Sequence, residues 1–122
     1  MQQPRHIQCK RVYESPASSD GFRALVDRVW PRGISKNDLT ADAWYRDLAP
    51  SNALRKWFGH DPQRWAGFYQ KYHAELRERQ DDLDQLLKDC QGRTLTLLYA
   101  AKDTEHNNAV ALKMLLEGKG QP

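Results

Sequence analysis

The run TLTLLYA, residues 94–100, constrains this chain more than any other stretch. It is continuous, apolar and β-branched, the composition of a strand buried within a sheet. FRALVDRV, residues 22–29, holds the contiguous triplet Ala24-Leu25-Val26 and suits an interior strand covered on both faces. IQCKRVY, residues 7–13, alternates Ile7 and Cys9 with polar neighbours and reads as a third strand. The stretch WYRDL, 44–48, fits either a short strand or one helical turn.

Between these runs the period changes. Ser51 is a good N-cap, and Leu54, Trp57 and Phe58 predict a short helix ending at Gly59. Asp61-Pro62 is a second start signal. Trp65, Phe68, Tyr69, Tyr72 and Leu76 then form one apolar helical stripe. Leu83, Leu86, Leu87 and Cys90 form another, stopped by Gly92. Asp103 or Thr104 is expected to cap a last helix carrying Ala109, Leu112, Leu115 and Leu116.

Apolar strands separated by helices predict an α/β fold: a three-layer sandwich with a small, mostly parallel or mixed sheet and helices on both faces. Leu25, Val26, Trp65, Phe68, Tyr72, Leu97, Leu98 and Leu112 are expected to share one core. The first two strands are joined by less than the roughly 10–12 residues a crossover needs. They are therefore antiparallel or not adjacent. The 122 residues suit one domain spanning 1–122, with 1–6 a flexible end and 118–122 a flexible tail.

Composition excludes several classes. Hydrophobic residues make up 39% and charged residues 29%, so the chain is globular rather than disordered. A net charge of +3, with both signs interspersed, is too small to declare a nucleic-acid binder. Cys9 and Cys90 lack any CxxC spacing and read as buried, inert thiols. No run approaches the ~18 apolar residues of a membrane span. No membrane association is expected, and a reducing cytoplasm is the default location.

The chemistry-bearing residues follow the strands. VDRVWPRGISK, 26–36, sets Arg28, Trp30, Arg32 and Lys36 around a Pro31/Gly33 turn after the second strand. Lys102, Asp103, His106 and Asn107 follow the last strand, and Ser51, Arg55 and His60 surround the first helix. Ligands of open α/β sheets bind beyond the carboxyl ends of the strands. Guanidinium groups grip phosphate or carboxylate in a two-donor fork. These residues therefore point to a pocket for a small anion, with Arg28, Trp30, Arg32, Lys36, Ser51, Arg55, Lys102 and Asn107 as ligand-binding candidates. His106, Asp103 and His60 are the candidates for proton transfer, with Asp103 orienting His106. The competing reading is structural, with Arg28 paired to Asp27 or Asp47 and Trp30 stacked on an arginine. No metal-ligand spacing, Walker motif or GxGxxG is present, so no metal and no cofactor is expected.

The blocks KRVYESP, DGFRALVDRVWPRGISK, LAPSNALRKWFGHDP, FYQKYHAEL and TLLYAAKDTEHNNAVAL resemble the YeaO-like family of small bacterial proteins of unknown function. The resemblance runs from about residue 8 to residue 117. It implies an α/β fold and a cytoplasmic protein, and it supplies no reaction. The expected function is thus small-anion binding at the carboxyl edge of the sheet, with or without catalysis. The rivals are a nucleic-acid-binding or regulatory protein and a protein-interaction module. A concave basic pocket favours the first, a long basic stripe the second, and a flat apolar patch the third. Nothing in the sequence fixes the oligomeric state.

Overall fold

The computed structural model describes residues 3–118. Strands β1 (Ile7–Arg11), β2 (Phe22–Leu25), β3 (Ala43–Trp44) and β4 (Leu95–Tyr99) form one sheet in the order β1-β4-β2-β3, every pair parallel. The α/β fold expected from the sequence is the fold found. The short first connection is explained by strand order. β4 inserts between β1 and β2, pairing Leu95 with Ile7 on one side and with Phe22 on the other. Residues 12–21 need no helix to make this return, since an extended chain of that length reaches roughly 33 Å. The strand they run back along is only about 17 Å long.

Successive strand residues point to opposite faces, and this divides the core. Leu95, Leu97 and Tyr99, with Ile7, Phe22, Ala24 and Val26, pack against α1 (Asn52–Phe58), α2 (Trp65–Arg77), α3 (Gln80–Cys90) and α4 (Asn108–Leu116). On the other face, Leu25 and Leu98 join Val12 and Leu39 beneath Trp30, Ile34 and Trp44. That face is covered by the segment 26–42 and by a 3-10 turn, Ser18–Asp20. The single core expected is therefore two, because Leu25 and Leu98 each alternate with a neighbour on the helical side.

Several local signals are realised. Ser51 Oγ accepts from Leu54 N, and Gly59 ends α1 in the left-handed region. Asp61 caps a 3-10 turn, Pro62–Arg64, which leads into α2. The ambiguous stretch at 44–48 supplies both alternatives, the end of β3 and then a 3-10 turn at Arg46–Leu48. The cap of α4 is a correction. Asn107, not Asp103 or Thr104, accepts from Val110 N, and Asp103 instead accepts from Glu105 N and His106 N one turn earlier.

Gly21 is required where β2 begins: at φ 64° it lies so close to β4 that a Cβ would sit 2.3 Å from Thr94 O. Burial pushes the Cys9 thiol up to about 11 and raises that of Cys90. Of the ends expected to be flexible, residues 1, 2 and 119–122 lie outside the described residues. Arg5 N already donates to Gly92 O, and His6 O accepts from Leu95 N.

Candidate ligand-binding site

Because all four strands run parallel, their carboxyl ends share one edge. β2 and β4 are neighbours there, but their outgoing chains part. Residues 26–42 turn onto the second face, whereas the chain after β4 leads to α4 on the helical face. A crevice opens where adjacent strands send their connections to opposite sides, and ligands of α/β sheets lodge in such crevices.

A cavity of about 330 Å³ occupies this crevice. The segment after β2 contributes Arg28, Trp30 and Arg32, and the segment before α4 contributes His106 and Asn107. Arg55 enters from α1, and His60 follows it. Apolar side chains, among them Val29, Phe58 and Phe68, complete the wall. The two sequence segments thus meet at one end of the sheet, with Arg55 beside them.

Arg28 is half-buried, and its guanidinium donates to Pro50 O at 3.3 Å and Ala49 O at 3.4 Å. It does not pair with Asp27 or Asp47. Trp30 donates from Nε1 to Ile34 O at 2.7 Å and meets Trp44 edge-on at 5.4 Å, rather than stacking on an arginine. Arg32 and Arg55 are exposed at the cavity. Tyr13 Oη donates to Arg32 O, tying the turn to the end of β1. Gly33 adopts φ 77°, which suits it to the turn, but nothing lies within 4 Å of where its Cβ would be. Its role is conformation rather than close approach. His60 also adopts a positive φ, 58°, immediately after Gly59. Such a conformation is costly for a residue with a side chain.

His106 Nδ1 lies 3.0 Å from Asp103 Oδ2, and the His106 ring meets Trp65 edge-on at 5.3 Å. The Glu105 N–H bond holds the Asp103 carboxyl below the usual carboxylate range, against the effect of burial and with help from His106. This is the pair expected from the sequence. Asp103 itself is outside the cavity lining, behind His106.

Lys36 and Lys102 are exposed and are also absent from the lining. Ser51 faces a second cavity of about 310 Å³. There its hydroxyl donates to Glu75 Oε2 at 2.6 Å, and its N–H donates to Glu75 Oε1 at 2.9 Å. Its polar atoms are therefore used in capping α1 and in joining α1 to α2.

Asp27 and Asn108 also line the cavity. Asp27 stands two residues after the end of β2, with Oδ2 accepting from Ala100 N at 2.9 Å and Oδ1 from Asn108 Nδ2 at 3.0 Å. Burial raises its pKa, an effect opposed by Asn108, Ala100 N–H and the nearby Arg55. Its position directly after Ala24-Leu25-Val26 was the available signal. Asn108 also donates to Val26 O, so it fastens the start of α4 to the end of β2. Among the described residues, no group of three or more His, Cys, Asp or Glu is placed to hold a metal ion.

A family model described as "Inactive DUF488-N3 subclade", DUF488-N3i, matches residues 6–121. The chain belongs to the DUF488-N3i family. It is 46% identical to Uncharacterized protein YeaO of Escherichia coli (strain K12) over 107 residues, covering 88% of this chain and 93% of that protein. It is 37% identical to Uncharacterized protein Rv3073c of Mycobacterium tuberculosis (strain ATCC 25618 / H37Rv) over 113 residues, covering 93% and 95% respectively. The YeaO-like resemblance read from the sequence blocks is thus a family relationship along nearly the whole chain. No solved structure matches it.

Proposed function

We propose that this DUF488-N3i protein binds a small phosphate- or carboxylate-bearing molecule in the cavity between β2 and β4. One observation carries the reading. Arg28, Arg32 and Arg55 border one concave site, Arg28 bordering the second cavity as well, and none forms an ion pair with a carboxylate among the described residues. Guanidinium groups that have no carboxylate partner and border a cavity suit recognition of an anion. The concave shape favours this over a nucleic-acid stripe or a flat protein-docking patch. No helix among the described residues is long and apolar enough to cross a membrane, and both cysteines are free. A cytoplasmic setting is in keeping with the free thiols.

The Asp103–His106 pair supports a second reading, in which His106 exchanges a proton with the bound molecule. The family's description as an inactive subclade weighs toward binding without turnover. A thermal-shift screen of inorganic phosphate, sugar phosphates, nucleotides and small carboxylates tests the binding reading. A ligand at 100 times its Kd should stabilise the protein by about 2.7 kcal/mol. Arg32→Lys should abolish the shift without altering the melting temperature of the free protein, because an ammonium cannot reproduce the planar fork. An unchanged ligand affinity in that variant would exclude the arginine clamp. Turnover lost in His106→Ala, with affinity retained, would establish the enzymatic reading.

A further inference from the structure

The cavity carries both signs, and this narrows what it binds. The wall holds Arg28, Arg32 and Arg55, but the lining also includes Asp27 and Asn108. The Asn108 amide nitrogen is committed to Val26 O and Asp27 Oδ1, which leaves the amide oxygen as its remaining polar atom. Each Asp27 oxygen accepts one bond from the protein and keeps further acceptor capacity. A bare anion would gain nothing from these acceptors and would be repelled by the carboxylate. Asp27 already holds Ala100 N–H and Asn108, and the acceptor capacity it has left is of no use to a simple anion.

Resting on the anion-binding reading, we propose that the ligand is bifunctional: a phosphate or carboxylate held by the arginines, with a hydroxyl or amine that donates to Asp27 and Asn108. Between the two ends, Phe58 and Phe68 offer an apolar wall to a compact carbon body. The cavity, about 330 Å³, lies at the small end of the ~300–1,000 Å³ range of ligand pockets. This size suits a hydroxylated or aminated metabolite rather than a polymer. Asp27 is a positioning and specificity residue in this scheme, because it selects the donor group and leaves the anion to the guanidinium groups.

Three matched probes separate the two ends of the site: ethyl phosphate, 2-hydroxyethyl phosphate and 2-aminoethyl phosphate, titrated by calorimetry. The two donor-bearing probes should bind the wild-type protein about tenfold more tightly or better, since a hydrogen bond to a charged group is worth roughly 1.5–3 kcal/mol. Asp27→Asn should remove most of that advantage, while ethyl phosphate binds as tightly as before or more tightly. Asn108→Ala, which keeps the carboxylate, should remove part of it; this variant decides the matter if Asp27→Asn does not fold. Equal affinity for all three probes in wild type would overturn the bifunctional ligand and leave a simple anion site standing. A donor advantage that survives in a folded Asp27→Asn variant, or is untouched in Asn108→Ala, would overturn it too. No binding of any of these probes or of their carboxylate counterparts, propionate, 3-hydroxypropionate and 3-aminopropionate, would overturn both readings.

Discussion

Two charged regions of this molecule are built from similar residues and do opposite things. On the second face of the sheet, Asp20 is buried with Arg23 at 2.5 Å and Lys10 at 3.1 Å. Gln8 donates to Asp20 and to Thr96, and Thr96 Oγ1 donates to Asp20 O. Among the described residues, no buried side-chain nitrogen or oxygen is left without a partner. At the carboxyl edge, by contrast, Arg28, Arg32 and Arg55 surround a cavity without ion pairs. The first region consumes its charges internally and holds the start of β2 to β1 and β4. The second leaves its arginines without a carboxylate partner among the described residues, with Arg28 held only by Ala49 O and Pro50 O and Arg55 by Asn52 Oδ1. Counting arginines does not distinguish such regions; the partners each arginine has already found do.

The comparison breaks most easily at Asp20. Asp20→Ala leaves Arg23 buried without its carboxylate and should destabilise the fold by about 3–5 kcal/mol in urea unfolding. A loss below ~1 kcal/mol would show that the network relaxes and does not hold the start of β2 in place. The second contrast is at the cavity. Arg55→Ala should change stability by no more than about 0.5 kcal/mol, as expected for an exposed side chain. In the same variant, affinity for a bound phosphate ester should fall about tenfold, equivalent to roughly 1.4 kcal/mol. Titration calorimetry and urea unfolding on one preparation check both halves.

The acid response gives a smaller, signed contrast. Burial pushes the Asp20 carboxyl up, but Ala17 N–H, Lys10 and Arg23 overcome this and hold it below its ordinary value. Its stabilisation is complete above the unfolded carboxyl pKa, about 3.9, and is lost as pH falls through the depressed folded value. Asp27 is raised, so its ionised form weakens the fold at neutral pH. That penalty is relieved as pH falls through the raised folded value toward the unfolded one. Mild acidification should therefore make the Asp27 contribution more favourable before Asp20 begins to lose its own. Asp27→Asn should flatten the early part of the stability–pH curve and leave the later part unchanged. The smallest effect belongs to Lys36→Ala and Lys102→Ala, which should alter phosphate-ester affinity by less than about twofold, apart from a salt-sensitive long-range contribution. A larger effect would extend the site beyond the cavity.

Sequence reading recovered the elements whose cause is local. Continuous apolar runs marked β2 and β4, and Ser51, Asp61 and Gly59 marked helix ends. It also brought Arg28, Arg32, Arg55, His60, His106 and Asn107 together, because following a buried strand or its helix is a positional rule. It missed what depends on distant partners. Asp20 and Arg23 looked like loop and pattern residues, and their burial follows from the 3-10 turn folding over Gln8, Lys10 and Thr96. Asp27 was weighed only as a mate for Arg28, since the Ala100 N–H and Asn108 that hold it lie 73 and 81 residues away. Ser51 lies outside this cavity for the converse reason, with Glu75 on the next helix engaging it.

The insertion of β4 between β1 and β2 also sets the order in which the molecule can be assembled. Among the described residues, β2 otherwise pairs only with the two-residue strand β3, and β1 has no other strand partner. While the ribosome is still making residues before 95, the early strands therefore have almost nothing to pair with. Closing such long-range contacts is slow, because the loop entropy is lost before any pairing rewards it. The proposed pocket shares this timing, since its two main segments flank β2 and β4. During synthesis the arginine half is exposed first, and the histidine half arrives with the strand that completes the sheet.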